Sequence, residues 1–239
     1  MRKIIDFFRR KESCGNCVAS MTVHQFAESL GNAIDAKDHC TCSHSEEVAV
    51  VAQALGVQFG MHPRECELLH IAGHLHDIGK IGLPDAILKK KGKLTAEEYE
   101  IVKQHPAMGA EIVKPVASVS GLDRITGIIL HHHERYDGGG YPHGLKGEQI
   151  PFGARIIAVA DTLSAMASNR PYRDAIQFDK IVEEIKSCSG SQFDPQVVSE
   201  FLKISDEIGQ YFAAGNVLDI NQYETETVSA QGQVAIVHQ

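Results

Sequence analysis

The residue types that can do chemistry fall in a few short stretches. "HLHDIGK" sets His76 beside Asp77, with Lys80 about one turn further on. His105 precedes Pro106 near a helix end, and "HHHERYDGGGYP" places His131, His132 and His133 ahead of a glycine-rich loop. Asp161 interrupts the apolar run "ARIIAVADTLSAMA". A His–Asp doublet by itself is a weak sign of a metal site. An aspartate on the buried face of a helix is different, because burying it is costly unless it is paired or bound to a metal. Helical bundles build di-metal sites from histidines and carboxylates on facing helices. A mixed imidazole and carboxylate set suits Fe, Mn, Zn or Ni better than Ca or Mg.

A second group of reactive residues lies nearer the N-terminus. "HCTCSHSEE" at 39–47 carries Cys40 and Cys42, and "CGNC" at 14–17 carries Cys14 and Cys17. Four cysteines in a CxxC and a CxC could bind a separate zinc ion, switch between dithiol and disulfide, or be unlinked thiols. Cys66 and Cys188 fall on expected helices and read as core residues. His24, His39, His62, His70, His74, His143 and His238 receive no role, since an isolated histidine is more often packing or surface.

The elements that must position these groups read as helical nearly throughout, so the fold class expected is all-α. Apolar positions recur at helical spacing over 18–37, 44–58 and the stretch beginning at Pro63, which suits a first helical position. In "LTAEEYEIVKQHP", Thr95 is the expected N-cap and Glu98 completes a capping box. Further helices are expected at 107–114, 117–132, 152–168, 177–187 and 195–203. "DGGGYPHGLKGEQIP" at 137–151 must be a loop. Gly138 and Gly140 permit its backbone conformations and close approach, Pro142 stiffens its exit, and Arg135 and Asp137 are expected to pair and fix it. The division read from the sequence is an N-terminal extension with the CxxC (1–24), one helical domain (25–205), and a helix end with a loosely ordered tail (206–239).

Bulk properties narrow the function. The chain has 239 residues, 43% of them hydrophobic and 23% charged, enough for one domain with a sizeable core. Its formal charge of −8 argues against general nucleic-acid binding, which needs an excess of Lys and Arg. A small phosphorylated ligand needs only a few local cations. No apolar run approaches the roughly 18 residues of a membrane span. "MRKIIDFFRRKE" lacks the features of a secretory signal, although Ile4, Ile5, Phe7 and Phe8 could form the apolar side of a short docking helix. The expected location is the cytoplasm.

On five ordered motifs the chain closely resembles the HD-GYP family, the bacterial branch of the HD phosphohydrolases that cleaves cyclic dinucleotides. These are "HSEEVA", "LHDIGKIGLPDAIL", "GKLTAEEYEIVKQHPAMGAEI", "HHERYDGGGYPHGLKGEQIP" and "ARIIAVADTLSAMASNRPYR". The resemblance runs from about residue 25 to 205 and implies an HD-domain helical bundle with a GYP loop. It implies metal ligation by His44, His76, Asp77, His105, His132, His133 and Asp161. Asp77 would bridge two metals, with His44, His76 and Asp161 completing one and His105, His132 and His133 the other. His131 falls outside that set.

The activity implied is hydrolysis of a cyclic dinucleotide, cyclic di-GMP foremost, to the linear dinucleotide or GMP by a metal-bridged hydroxide. Fe or Mn would be the divalent metals, with Zn and Ni as further candidates. Asp77 and Lys80 would act in catalysis. Lys80 would sit over the scissile phosphate, Tyr141 would shape the pocket, and Arg170 and Arg173 would grip the ligand's phosphates as guanidinium groups do. The alternative function is a catalytically weak module that binds a nucleotide or a partner protein in signalling, and a homodimer is a further expectation. Four residues before the first metal histidine the family carries an aromatic residue or, in some members, a glutamate holding a third metal. Here Cys40 stands there, which favours a binuclear centre and leaves the thiol unexplained.

Overall fold

The computed structural model describes residues 17–38, 43–118, 122–167 and 177–214. Ten α-helices are formed among them. In chain order they are α1 (Cys17–Asp38), α2 (His44–Gln58), α3 (Pro63–Leu75), α4 (Asp85–Leu88), α5 (Ala96–Val102) and α6 (His105–Ala117), then α7 (Ile125–His131), α8 (Phe152–Ala167), α9 (Phe178–Ser187) and α10 (Pro195–Ala213). Short 3-10 turns span Ile78–Gly82 and Gly147–Gln149. No strand occurs among the described residues, apart from one isolated bridge between Ser189 and Phe193.

Local chemistry accounts for several of these boundaries. Thr95 caps α5 as expected: its hydroxyl accepts from the Glu98 amide at 3.2 Å, and Glu98 accepts from the Thr95 amide at 2.7 Å. Helix α3 has Pro63 in its first turn and a capping box made by His62 and Glu65, which gives His62 a part the sequence reading did not assign. Asp194 caps α10 by accepting from the Gln196 amide at 2.8 Å.

Three expected boundaries are corrected. Helix α6 is longer than 107–114. The helix expected over 117–132 is the shorter α7, preceded by a turn through Leu122–Arg124. Helix α10 continues past 203 to Ala213, because Phe201, Ile204 and Ile208 extend one apolar face and are all buried. Cys66 is a core residue, whereas Cys188 is only half-buried and lies just beyond α9 with its thiol toward Glu184.

The core joins α2, α3, α7, α8, α9 and α10 through Leu55, Leu69, Ile125, Ile156, Ile181 and Phe201, all essentially inaccessible to solvent. Burial on that scale contributes about 1.5–3 kcal/mol for each large side chain, and it makes α2, α3 and α8 a firm base for whatever they carry. Helix α1 is joined to this base at its C-terminal end. Asp35 accepts from the Ser45 amide at 2.9 Å and the Ser45 hydroxyl at 2.8 Å, fixing the first turn of α2. The Lys37 ammonium donates to the carbonyls of Ile81 and Leu83, tying the same end of α1 to the 78–82 turn.

The expectations at the N-terminal docking helix, Cys14, Cys40, Cys42, Arg170, Arg173 and the tail beyond 214 lie outside the described residues. Of Cys17, the backbone opens α1.

Candidate metal centre

Three helix ends converge on one point, and the reason lies in their unsatisfied carbonyls. The last four carbonyls of a helix have no partner within it. His76, just past α3, donates from Nδ1 to Gly73 O at 2.7 Å. His105, three residues past the end of α5, donates to Val102 O at 2.7 Å. His132, just past α7, donates to Ile129 O at 2.6 Å. A carbonyl can only accept, so each Nδ1 carries a proton, and each Nε2 presents a lone pair when the ring is neutral. His44 reaches the same state by another route. Its Nδ1 lies 2.9 Å from Ser164 Oγ, and that hydroxyl donates to Glu47 at 2.5 Å, so it must accept from the imidazole.

The four Nε2 atoms surround Asp77, whose two carboxylate oxygens face different groups. Oδ2 lies 3.3 Å from His76 and 4.0 Å from His44. Oδ1 lies 3.2 Å from His105 and 3.9 Å from His132. Asp161 joins the first group, its Oδ1 3.4 Å from His44 Nε2 and 3.9 Å from His76 Nε2. His133 joins the second, with His105 and His132 around it. All seven residues singled out from the sequence are thus brought together, in the two groups expected.

The turn that carries Asp77 needs a glycine. A Cβ on Gly79 would run into the His105 carbonyl oxygen and the Gly109 amide, so only glycine lets the 78–82 turn press against α6. Lys80 on that turn places Nζ 2.6 Å from Asp77 Oδ2 and 2.6 Å from Asp38 Oδ2.

Electrostatics at the centre call for positive charge. Burial pushes the Asp77 carboxyl upward, yet Lys80 and then His76 outweigh it and hold the group well below the ordinary carboxylate range. Burial also opposes ionisation of Asp161, and His44 and His76 reverse the effect. Burial presses His76 down, but the charge of Asp77, with help from Asp161, raises it to about 9. His76 Nε2 is nonetheless buried without a hydrogen bond of sound geometry. By contrast burial, aided by neighbouring imidazoles, keeps His132 well below its usual value, and burial lowers His133 to about 4. Imidazoles kept neutral at His132 and His133, and carboxylates kept ionised at Asp77 and Asp161, belong to the donor set that divalent transition metals take.

The loop after the histidines closes one side. Tyr141 lies against His133 with ring centroids 4.9 Å apart. Arg135 and Asp137 pair as expected, at 2.8 and 3.2 Å. Gly138 adopts a φ of +88°, and a Cβ on Gly140 would collide with the backbone of Glu134 and Arg135. Buried Glu134 accepts from the amides of His143 at 2.8 Å and Leu145 at 3.1 Å, pinning the loop from beneath. His131 stays out of the centre, with Nε2 3.1 Å from His143 Nδ1.

Asp38, Glu47, Glu134 and Ser164 are the supporting residues that the sequence reading missed. Two of them had a signal: Glu47 is three residues from His44, and Ser164 three from Asp161, so each shares a helix face with a candidate ligand.

Comparison with known proteins places this geometry in context. A family model described as an HD domain matches residues 28–197. A cyclic di-GMP phosphodiesterase of Thermotoga maritima is 44% identical over 172 residues, covering 72% of this chain and 46% of that protein. A cyclic di-GMP phosphodiesterase response regulator of Xanthomonas campestris is 41% identical, over 73% of this chain and 46% of its own length. A 3'3'-cGAMP-specific phosphodiesterase of Vibrio cholerae is 36% identical, over 78% and 35%. The chain therefore spans less than half the length of these relatives. Among solved structures, a cyclic GMP-AMP phosphodiesterase of V. cholerae shares the fold, with a TM-score of 0.63 at 19% identity, over 84% of this chain and 52% of that one. No helix among the described residues is long and apolar enough to cross a membrane.

Proposed function

The chain belongs to the HD-domain family, and from that premise we propose that it is a metal-dependent phosphodiesterase that opens a cyclic dinucleotide, with cyclic di-GMP the first substrate to test. The observation that supports this best is the division of labour at Asp77, whose two oxygens face separate histidine groups. Under this reading Asp77 would be shared by two divalent ions, with His44, His76 and Asp161 to hold one and His105, His132 and His133 to hold the other. Fe or Mn suits the mixed nitrogen and oxygen donors, with Zn and Ni as alternatives. When bound, such a pair acidifies a water molecule and offsets the charge that builds on a phosphoryl centre.

The chain's own groups do the rest. The helix-end carbonyls of Gly73, Val102 and Ile129 keep three imidazoles in the ligating tautomer. Lys80 supplies a fixed cation beside Asp77 for a phosphate oxygen. Tyr141, lying against His133, walls the space in which a nucleotide would lie. Arg170 and Arg173 are assigned to the remaining phosphate. The relatives whose names specify cyclic di-GMP and 3'3'-cGAMP supply the substrate class.

The test is to load the full chain with Fe or Mn under reducing conditions, measure its metal content, and supply cyclic di-GMP and 3'3'-cGAMP in turn. Turnover of either to the linear dinucleotide or mononucleotides supports the reading. Full occupancy with no turnover of either would overturn it in favour of a nucleotide-binding signalling module. Asp77→Ala should lose two metal equivalents together with all activity, and retention of both would refute the bridging role.

A further inference from the structure

A second histidine cluster stands apart from Asp77 and shares no residue with that centre. His70 and His74 lie one turn apart on α3 and are both buried, at 5% and 2% exposure. Residues four apart on a helix point the same way, and here the two Nε2 atoms approach to 3.2 Å. His24 comes in from α1, its ring stacked on His70 at 4.7 Å and edge-on to His74 at 5.7 Å. One ring nitrogen from each of the three lies within 4.8 Å of the others. From α2, Glu46 brings Oε2 to 3.4 Å from His74 Nε2.

We propose that His24, His70, His74 and Glu46 form a separate site for one divalent transition metal, with zinc the best fit. Ligands bound tetrahedrally at 2.0–2.1 Å stand about 3.4 Å from one another. The His70–His74 and His74–Glu46 separations of 3.2 and 3.4 Å already match that edge. His24 closes the set by a rotation of its ring. His74 Nδ1 is buried without a hydrogen-bond partner, so the polar contacts of that ring all lie on the side it shares with His70 and Glu46. The Glu46 side chain is 37% exposed and gives an ion a way in from solvent.

The site would clasp α1, α2 and α3 at one point. These elements carry, respectively, Asp38 beside Lys80, His44, and the His76–Asp77 step. Zinc bound there acts as a structural tie, and stabilisation by mass action follows from binding the folded state alone.

The test uses the full chain and the metal alone. Wild type should hold one equivalent more than His70→Gln, and Asp77→Ala should keep that equivalent. Cobalt added to metal-free Asp77→Ala should give the visible bands of tetrahedral nitrogen and oxygen ligation, with no thiolate charge-transfer band in the near ultraviolet. Adding His70→Gln should abolish the bands, and Glu46→Gln, at a half-exposed position that tolerates change, should weaken binding by about tenfold or more. Far-ultraviolet circular dichroism checks that each variant is folded. The proposal is overturned if the metal count is the same in wild type and folded His70→Gln. It is equally overturned if cobalt affinity is unchanged in Glu46→Gln, or if a thiolate band places the ion at the cysteines instead.

Discussion

Lys80 is held between two carboxylates, with Nζ 2.6 Å from Asp77 Oδ2 on one side and 2.6 Å from Asp38 Oδ2 on the other. Burial alone would drive a lysine toward its neutral form, and here Asp77 and then Asp38 reverse that and hold the ammonium well above its ordinary value. Under the proposed metal binding Asp77 would give its charge to the ions, and Asp38 would remain as the main anchor of the cation. The two carboxylates therefore have different roles, although they touch the same nitrogen.

Asp38→Asn should separate those roles. The expected result is unchanged metal content with turnover reduced about tenfold, the scale of one charge-assisted hydrogen bond. The lysine would also lose its proton at lower pH, so the alkaline limb of the activity profile should move toward neutrality. Metal analysis beside a pH–rate profile checks this, and loss of metal in Asp38→Asn would show that Asp38 belongs to the ligand set instead.

Ser164→Ala should weaken metal binding without removing a ligand. The Ser164 hydroxyl accepts from His44 Nδ1 and donates to buried Glu47, which also accepts from Ser43 at 2.9 Å. Without it the imidazole can carry its proton on either nitrogen and turn. Losing such an outer partner costs about 10–100-fold in metal affinity. Competition against a chelator measures it, and an unchanged affinity would mean that helix packing alone orients His44.

Much of the cluster at Asp77 was legible because it consists of histidine and aspartate, residue types that rarely occupy buried helix faces without a partner. The five motif stretches also kept an order and spacing that pointed to one family. The supporting residues were harder to read. Asp38 sits 42 positions from Lys80, and Glu47 sits 117 from Ser164; a lone polar residue at the end of an amphipathic helix gives no sign of so distant a partner. The end of helix α10 was less legible for a related reason: beyond 203 the only buried residues are Ile204 and Ile208, four apart, with Ser205, Asp206 and Glu207 between them. His70 and His74 are neighbours by their spacing on α3, but only the packing of α1 on α3 brings His24 to them.

The metal-free chain should lose stability as pH falls from about 6.5 to about 4. Burial lowers His133 to about 4, and burial with nearby His24 lowers His74 to about 3, while both protonate near 6.5 when unfolded. These two groups thus bind more protons in the unfolded state across this window, so their contribution is full above it and declines as pH drops. His76, raised to about 9, acts oppositely: its contribution is full below about 6.5 and is lost as pH rises through about 9. Asp77 and Asp161, both lowered, are ionised in both states above the ordinary carboxylate range. Each depressed histidine contributes up to about 1.4 kcal/mol per pH unit. In His133→Asn the slope should fall by about one proton, read from urea denaturation at several pH values with chelator present. An unaltered slope would mean that His133 titrates normally in the folded chain.

Glu134→Ala should loosen the loop without emptying the centre. Glu134 is 3% exposed, and its carboxylate accepts from the amides of His143 and Leu145, on either side of Gly144. Removing the carboxylate leaves two backbone donors without a partner, at about 1–3 kcal/mol for each one that stays buried. Water can replace part of this if the loop moves outward, so the loss of global stability should be smaller than the sum. Tyr141 would then no longer be held against His133. The expected outcome is a full metal count, a raised KM for the cyclic dinucleotide and faster amide exchange across 138–146. Glu134→Gln keeps one acceptor oxygen and should lie between the variant and wild type. A variant with normal KM and unchanged exchange would show that Arg135 and Asp137 suffice to hold the loop.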